Sequence, residues 1–336
     1  MRSEIARIVG FWTQLGVDGF RVDAVPFLIS PPGAADETDP HAFLRELHRF
    51  VGRRRGDAVL LGEVGLPQQE QLAYFGESQA ELDLQFDFET AQAIFLALVR
   101  GDARPVAESL RRRPPVDVRQ GWVTFLRNHD ELSLEMLAPD ERDEVFQALA
   151  PDERQRVYGR GIVRRLAPML RGDPRRIRLA YSLMFSLPGA PMLFYGEEIG
   201  MGELEGRGDR RAVRTPMQWR NARNGGFSDA KPSRLVREIP DGGYGVAHVN
   251  VHDQLRAPSR SWASSRRSSH GTAPRPSSPG GGSRCTTCTT RRCSCTRCAP
   301  TTRRSSPRTA SETRPVASSS TPMRSAPTCS STCCSR

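Results

Sequence analysis

The sequence predicts an α/β fold in residues 1–255, followed by a disordered tail over residues 256–336. Short apolar runs, typical of buried strands, alternate with segments of helical periodicity, and this alternation favours a parallel sheet. Charged residues stand at the carboxyl ends of the apolar runs, which is where parallel α/β folds place their sites. The tail is rich in Ser, Thr, Pro, Arg and Cys and poor in bulky apolar residues, so it cannot bury enough surface to fold.

Helices and strands follow one another along the first part of the chain. Apolar residues at helical spacing mark the helices, and Gly16 is suited to end the first of them. The predicted helices are 4–15, 40–51 with Asp39 as its candidate N-cap, 90–99 and 173–186. The predicted strands are 16–25, 57–64, 82–88, 121–130 and 191–195, the last running into Glu197 and Glu198.

Charge and cysteine are distributed unevenly. The chain carries a formal net charge of +11, but the tail alone holds 15 Arg and a single acidic residue, so residues 1–255 carry about −3. The positive net charge of the whole chain therefore says nothing about the partners of residues 1–255. All eight cysteines lie in the tail, and their absence from residues 1–255 fits a cytoplasmic protein. No apolar run reaches the ~18 residues of a membrane helix.

Three interpretations of the tail stay open. The spacings Cys285-x2-Cys288 and Cys295-x2-Cys298 are those of zinc ligands. The arginines could form an arm that binds nucleic acid. The favoured interpretation is translation in the wrong frame, because the chain has 48 Arg but one Lys, typical of a GC-rich gene, and the change in composition is abrupt.

Three carboxylates stand at or after the ends of predicted strands: Asp23, Glu63 and Asp130. Paired carboxyl groups are the catalytic groups of glycoside hydrolysis, in which one attacks the sugar and the other protonates the leaving oxygen. Arg21 can keep Asp23 ionised by charge pairing, and apolar neighbours can raise the pKa of Glu63. His129 can donate to sugar hydroxyls. The structural alternative is a set of solvated carboxylates, an Arg21–Asp23 ion pair and a rim histidine.

The motifs GFRVDAV (19–25), LLGEV (60–64) and FLRNHDE (125–131) resemble three short regions of the α-amylase superfamily, glycoside hydrolase family 13. The resemblance covers roughly residues 1–255 and implies a partial (β/α)8, or TIM, barrel containing about strands four to eight. It implies that Asp23 is the nucleophile, Glu63 the general acid and base, and Asp130 the residue that favours the distorted sugar. The substrate-binding residues that it implies are Arg21, Asn128 and His129.

Within this family, the sequence of residues 184–202 and 209–219 is most similar to that of enzymes that interconvert maltose and trehalose. The expected function is therefore retaining transfer at an α-glucosidic bond, with maltose, trehalose or short α-glucans as substrates. One alternative is hydrolysis of α-1,4-glucosidic bonds by an α-glucosidase or α-amylase. An alternative of another class is an inactive fragment with a tail that binds nucleic acid, although the charge of residues 1–255 argues against nucleic acid as a partner.

The chain departs from the family pattern at both ends. The nucleophile strand, normally the fourth, begins near residue 17, so we expect the first three strands and the inserted domain after strand three to be missing. That domain often supplies calcium ligands, so Ca²⁺ is possible in the full-length family but its ligands are mostly missing here. No other metal or cofactor is expected, and the expected origin is a truncated gene.

Overall fold

A computed structural model describes residues 2–30, 39–76, 80–206 and 208–256, all within the unit Met1–Ser277. The predictions of disorder, zinc binding and nucleic-acid binding concern residues 256–336, which lie outside this part except for Arg256, the last residue of a described helix. The helices are α1 (Arg2–Gln14), α2 (Val25–Ile29), α3 (Ala42–Gly52), α4 (Gln68–Gln71), α5 (Phe88–Arg100), α6 (Arg104–Arg112), α7 (Pro139–Leu149), α8 (Leu166–Met169), α9 (Pro174–Ser186) and α10 (Val251–Arg256).

Eight strands form two sheets in the described residues. They are β1 (Gly19–Val22), β2 (Val59–Gly62), β3 (Leu84–Phe86), β4 (Gly121–Phe125), β5 (Leu132–Ser133), β6 (Arg156–Val157), β7 (Gly161–Ile162) and β8 (Ala190–Met192). The main sheet has the order β1-β2-β3-β4-β8, and every pairing in it is parallel. The short strands β5, β6 and β7 form a separate antiparallel sheet. The predicted α/β class and the five predicted strands are confirmed.

Helix α5 shows how local sequence fixes an element. Asp87 accepts a hydrogen bond from the Thr90 backbone N–H at 2.9 Å and caps the helix, and Gly101, in the left-handed region with φ 66°, follows its last residue. It contains the predicted helix at 90–99 and extends beyond it by two residues at the start and one at the end. The prediction for Asp39 is wrong, because α3 begins at Ala42 and Asp39 forms an ion pair with Arg45 instead.

Helices and sheet bury two large apolar clusters. One joins α5 to α6, α7 and α9, and the other joins α1, α2 and α3 to the first two strands. A third, smaller cluster lies on the main sheet, where the ring of Phe125 meets those of Phe86 at 5.5 Å and Phe88 at 5.3 Å. Rings in edge-to-face contact form a rigid apolar wall. This wall borders the candidate site.

Strands β1 and β8 are the edges of the main sheet in the described residues, each paired on one side only. Five parallel strands are too few to close an eight-stranded barrel. The observed sheet is therefore the open arc that the sequence predicts for a partial barrel.

Candidate active site

The register of β1 and β2 brings two of the predicted carboxylates together. Val22 and Gly62 are paired at the ends of these strands, so Asp23 and Glu63 follow them at the same edge of the sheet. The Glu63 backbone N–H donates to the Val22 carbonyl at 2.9 Å, and the Val25 N–H donates to the Glu63 carbonyl at 3.0 Å. These backbone bonds fix both residues beyond the last pair of the ladder.

Arg21 bridges the two carboxylates. Its Nη1 donates to Asp23 Oδ1 at 2.7 Å, and its Nη2 donates to Glu63 Oε2 at 2.6 Å. The backbone N–H of Ala24 also donates to Glu63 Oε2, at 3.3 Å. Ala24 has φ 43°, a left-handed conformation that is unfavourable for a residue with a Cβ and that is found most often at functional sites. The sequence predicted the Arg21–Asp23 pair but not its extension to Glu63.

The two carboxyl groups have pKa values shifted in opposite directions. A hydrogen bond with Glu63 lowers the pKa of Asp23, and Arg21 lowers it further, while partial burial opposes both. Burial raises the pKa of Glu63, which Arg21 opposes and the contact with Asp23 reinforces. The Asp23 side chain is 75% exposed and that of Glu63 only 21%, which explains the difference in desolvation. The opposite shifts widen the pH interval in which Asp23 is ionised while Glu63 is still protonated.

Asp130 is held by two arginines that the sequence analysis did not single out. Arg214 Nη2 donates to Asp130 Oδ1 at 2.5 Å, and Arg210 Nη1 donates to the same oxygen at 3.1 Å. Arg214 Nε also donates to the backbone carbonyl of His129 at 2.7 Å. The only signal for these residues was their place in the segment 209–219, whose resemblance to the family says nothing about their contacts.

The neighbours of Asp130 belong to the turn that follows β4. Its backbone N–H donates to Asn128 Oδ1 at 2.9 Å, and its Oδ2 lies 3.5 Å from His129 Nε2. Arg127 Nη2 donates to the Asp130 carbonyl at 2.7 Å. Burial lowers the pKa of Arg127 to about 10, so this guanidinium still carries its charge at neutral pH. The turn is fixed by charged hydrogen bonds, which are stronger than neutral ones.

A cavity of about 280 Å³ joins these groups. It is of a size that suits a small ligand. Its polar lining is Arg21, Glu63, Arg127, Asn128 and His129, and its apolar lining is Leu61, Phe86, Phe88, Met192, Leu193 and Phe194. Asp23 and Asp130 are not lining residues, but Asp23 accepts a hydrogen bond from Arg21 and Asp130 lies 3.5 Å from His129, and both Arg21 and His129 line the cavity. All six predicted site residues therefore lie in or next to one cavity.

The other acidic residues after β8 lie elsewhere. Glu197 is buried and forms an ion pair with Arg165 at 3.2 Å, so its role is structural. Glu198 lines a different, mainly apolar cavity of about 660 Å³ together with Met217 and Trp219. Among the residues that the structure describes, no group of three or more His, Cys, Asp or Glu side chains is arranged to hold a metal. The described residues therefore contain no cluster of carboxylates that would fit a calcium ion.

The alpha-amylase catalytic-domain family matches residues 1–148 and 163–266. The chain belongs to this family. It is 43% identical over 254 residues to a trehalose synthase/amylase of Mycolicibacterium smegmatis, which covers 74% of this chain and 43% of that protein. It is 41% identical over 270 residues to a trehalose synthase of a Pimelobacter strain, which covers 77% of this chain and 47% of that protein.

Other family members are less similar. A protein of Dictyoglomus thermophilum named alpha-amylase 3 is 24% identical over 223 residues, 65% of this chain and 36% of that protein. The crystal structure of an α-amylase from H. orenii matches 80% of this chain and 46% of that one, with a TM-score of 0.57 and 21% identity, which shows the shared fold. The chain thus spans about half the length, or less, of the proteins that it matches.

Proposed function

We propose that this chain acts on α-glucosidic bonds with retention of configuration and interconverts maltose and trehalose. The observation that carries the mechanism is the Asp23–Arg21–Glu63 arrangement, in which one shared guanidinium contacts two carboxyl groups with opposite pKa shifts. A retaining enzyme needs an ionised nucleophile beside a protonated acid. The names of the relatives at 41–43% identity support the choice of substrates.

In the first step, an Asp23 carboxylate oxygen bonds to C1 of a glucosyl unit while the glycosidic C1–O bond breaks. Glu63 gives its proton to the leaving oxygen, and the glucose so released stays in the cavity. In the second step, Glu63 takes the proton of a different glucose hydroxyl, whose oxygen bonds to C1 as the bond to Asp23 breaks. We propose that Asp130 and His129 hold the hydroxyls of the reacting sugar in both steps.

Hydrolysis is the second candidate, and one observation favours it. The Asp23 side chain is 75% exposed, so water has access to the ester that would form on it. Water and the retained glucose would then compete for the same intermediate, and the ratio of their products measures how well the site excludes solvent.

The test is to incubate the full chain with maltose and follow trehalose and glucose by NMR. We expect trehalose and some glucose from the wild type, and neither sugar above background from Asp23→Asn or Glu63→Gln. Asp18→Asn is the matched control, because Asp18 is an exposed carboxylate paired with Arg55 away from the cavity. Glucose without trehalose would support the hydrolase, and no product from the wild type would contradict the proposed function.

We also propose the cytoplasm as the location of the protein, supported by the absence of cysteine from residues 1–255. Within the described ranges, no helix is both long enough and apolar enough to cross a membrane. Maltose, trehalose and short α-glucans are the partners proposed.

A further inference from the structure

Residues 149–162 fall between the two parts of the chain that the alpha-amylase family matches. They include the strands β6 and β7, and β7 pairs on one side with β6 and on the other with β5, which begins two residues after Asp130. The segment therefore lies outside the general family match and forms part of the small sheet that follows the third carboxylate.

Tyr158 stands at the turn between β6 and β7. It is a non-glycine residue with φ 56°, and Gly159 follows it with φ 66°, so the turn is built from two successive left-handed residues. Such a conformation is unfavourable for tyrosine and is found where its surroundings impose it. Tyr158 is 59% exposed, so burial of the ring in a core does not explain its position.

The ring of Tyr158 meets Arg210 instead. The guanidinium carbon of Arg210 lies 5.6 Å from the ring centroid, which is a cation–π distance. On its other side Arg210 donates to Asp130 Oδ1 at 3.1 Å, and its Nε lies 3.3 Å from Glu131 Oε2. Arg210 thus connects the turn of residues 149–162 to the third carboxylate.

We propose that Arg210 is a positioning residue for Asp130 and that Tyr158 holds Arg210 in place. Arg210 and Arg214 both contact Oδ1 of Asp130, which leaves Oδ2 as the oxygen turned toward His129 in the lining of the cavity. A fixed carboxylate is preorganised for the charge that develops on the sugar ring in the transition state. This inference rests on the proposed function, because it explains how Asp130 is oriented for the proposed reaction.

The test uses titration calorimetry to compare the affinities of the full chain for two molecules of similar shape, glucose and the iminosugar 1-deoxynojirimycin. Glucose is neutral, and 1-deoxynojirimycin carries a positive ring nitrogen that mimics the transition state. We expect Arg210→Met to weaken 1-deoxynojirimycin about tenfold while glucose affinity changes less than about twofold, because the carboxylate of Asp130 attracts the charged ring in addition to the hydrogen bonds with hydroxyls that both molecules can form. Tyr158→Leu should weaken 1-deoxynojirimycin by about threefold, and Tyr158→Phe, which keeps the ring, by less.

Arg211→Met is the matched control, because Arg211 is the next residue and pairs with Asp209 rather than with Asp130. Thermal unfolding of each variant checks that it folds. Equal losses for both sugars, or a Tyr158→Leu variant that binds like the wild type, would overturn the inference. A wild type that binds neither sugar contradicts the proposed function and this inference together, whereas one that binds both without converting maltose contradicts the proposed function alone.

Discussion

At the scale of the residue, Arg21 organises the candidate site because it contacts both Asp23 and Glu63. The sequence placed Arg21 and Asp23 on one strand, and alternation of side chains along a strand puts residues i and i+2 on the same face. Glu63 lies 42 positions away from Arg21, and only the parallel register of β1 and β2 brings it into contact. Arg21 lowers the pKa of both carboxyl groups.

Replacing Arg21 by methionine should therefore move the pH dependence of catalysis upward. The nucleophile must be ionised and the acid protonated, so the acidic limb of kcat/KM follows Asp23 and the alkaline limb follows Glu63. Without Arg21 both pKa values rise, and both limbs shift to higher pH. We expect kcat/KM at the new optimum to fall by about 10- to 100-fold through lost orientation.

The measurement for Arg21→Met is the pH profile of kcat/KM for maltose. Arg55→Met is the control, because Arg55 pairs with Asp18 and Asp57 and lies outside the cavity lining. Unmoved limbs, or limbs displaced to lower pH, would show that Arg21 does not set these pKa values.

At the scale of the element, periodicity predicted the five strands of the main sheet and the helices α1, α3, α5 and α9. It missed α6, α7 and the antiparallel sheet for physical reasons. Helix α6 is dominated by polar residues and buries only Val106 and Ser109, and the strands of the small sheet have two residues each, too few to show a pattern. The contacts of Arg210 and Arg214 with Asp130 span 80 and 84 positions, and no local pattern encodes them.

The pairing of β1 with β2 depends on a close approach at Gly19. A Cβ there would lie 2.3 Å from the Val59 carbonyl oxygen, which is backbone and cannot rotate away. We expect Gly19→Ala to lower the free energy of unfolding by about 1–3 kcal/mol, as overpacking does. Gly52→Ala is the control, because Gly52 ends α3 with open space around it. Alanine at this position should raise the free energy of unfolding by about 1 kcal/mol at most.

Urea unfolding of the Gly19→Ala and Gly52→Ala variants measures both changes. A Gly19→Ala variant as stable as the wild type would mean that β1 and β2 do not approach as closely as described.

At the scale of the whole molecule, the main sheet of the described part has five parallel strands, and α1 together with Leu15, the first residue after Gln14, exposes a row of apolar side chains. These residues follow helical spacing and are each 48–63% exposed: Ile8, Phe11, Trp12 and Leu15. Contiguous exposed apolar surface promotes association, as does a strand edge such as that of β1, which has no partner on one side among the described residues. The parallel sheet was predictable from the sequence because apolar strand patterns alternate with helical periodicity along residues 1–255.

We expect the full chain to associate as its concentration rises, and Phe11→Glu to weaken that association by about fivefold or more, since it places a charge in the apolar row. Sedimentation velocity over a range of concentrations measures this. Arg7→Glu is the control, because Arg7 lies on the same helix and already forms an exposed ion pair with Glu4. Equal association by the wild type and Phe11→Glu would remove α1 as the contact surface.

The central claim is that Asp23 is the nucleophile of a retaining reaction, and covalent trapping tests it most directly. The full chain is incubated with 5-fluoro-α-D-glucosyl fluoride, which forms a glycosyl-enzyme that turns over slowly, and is then digested and analysed by mass spectrometry. The account predicts one added fluoroglucosyl group, on the peptide that contains Asp23, and none in Asp23→Asn. A label on Glu63 or Asp130, or no label on a chain that converts maltose, would contradict it.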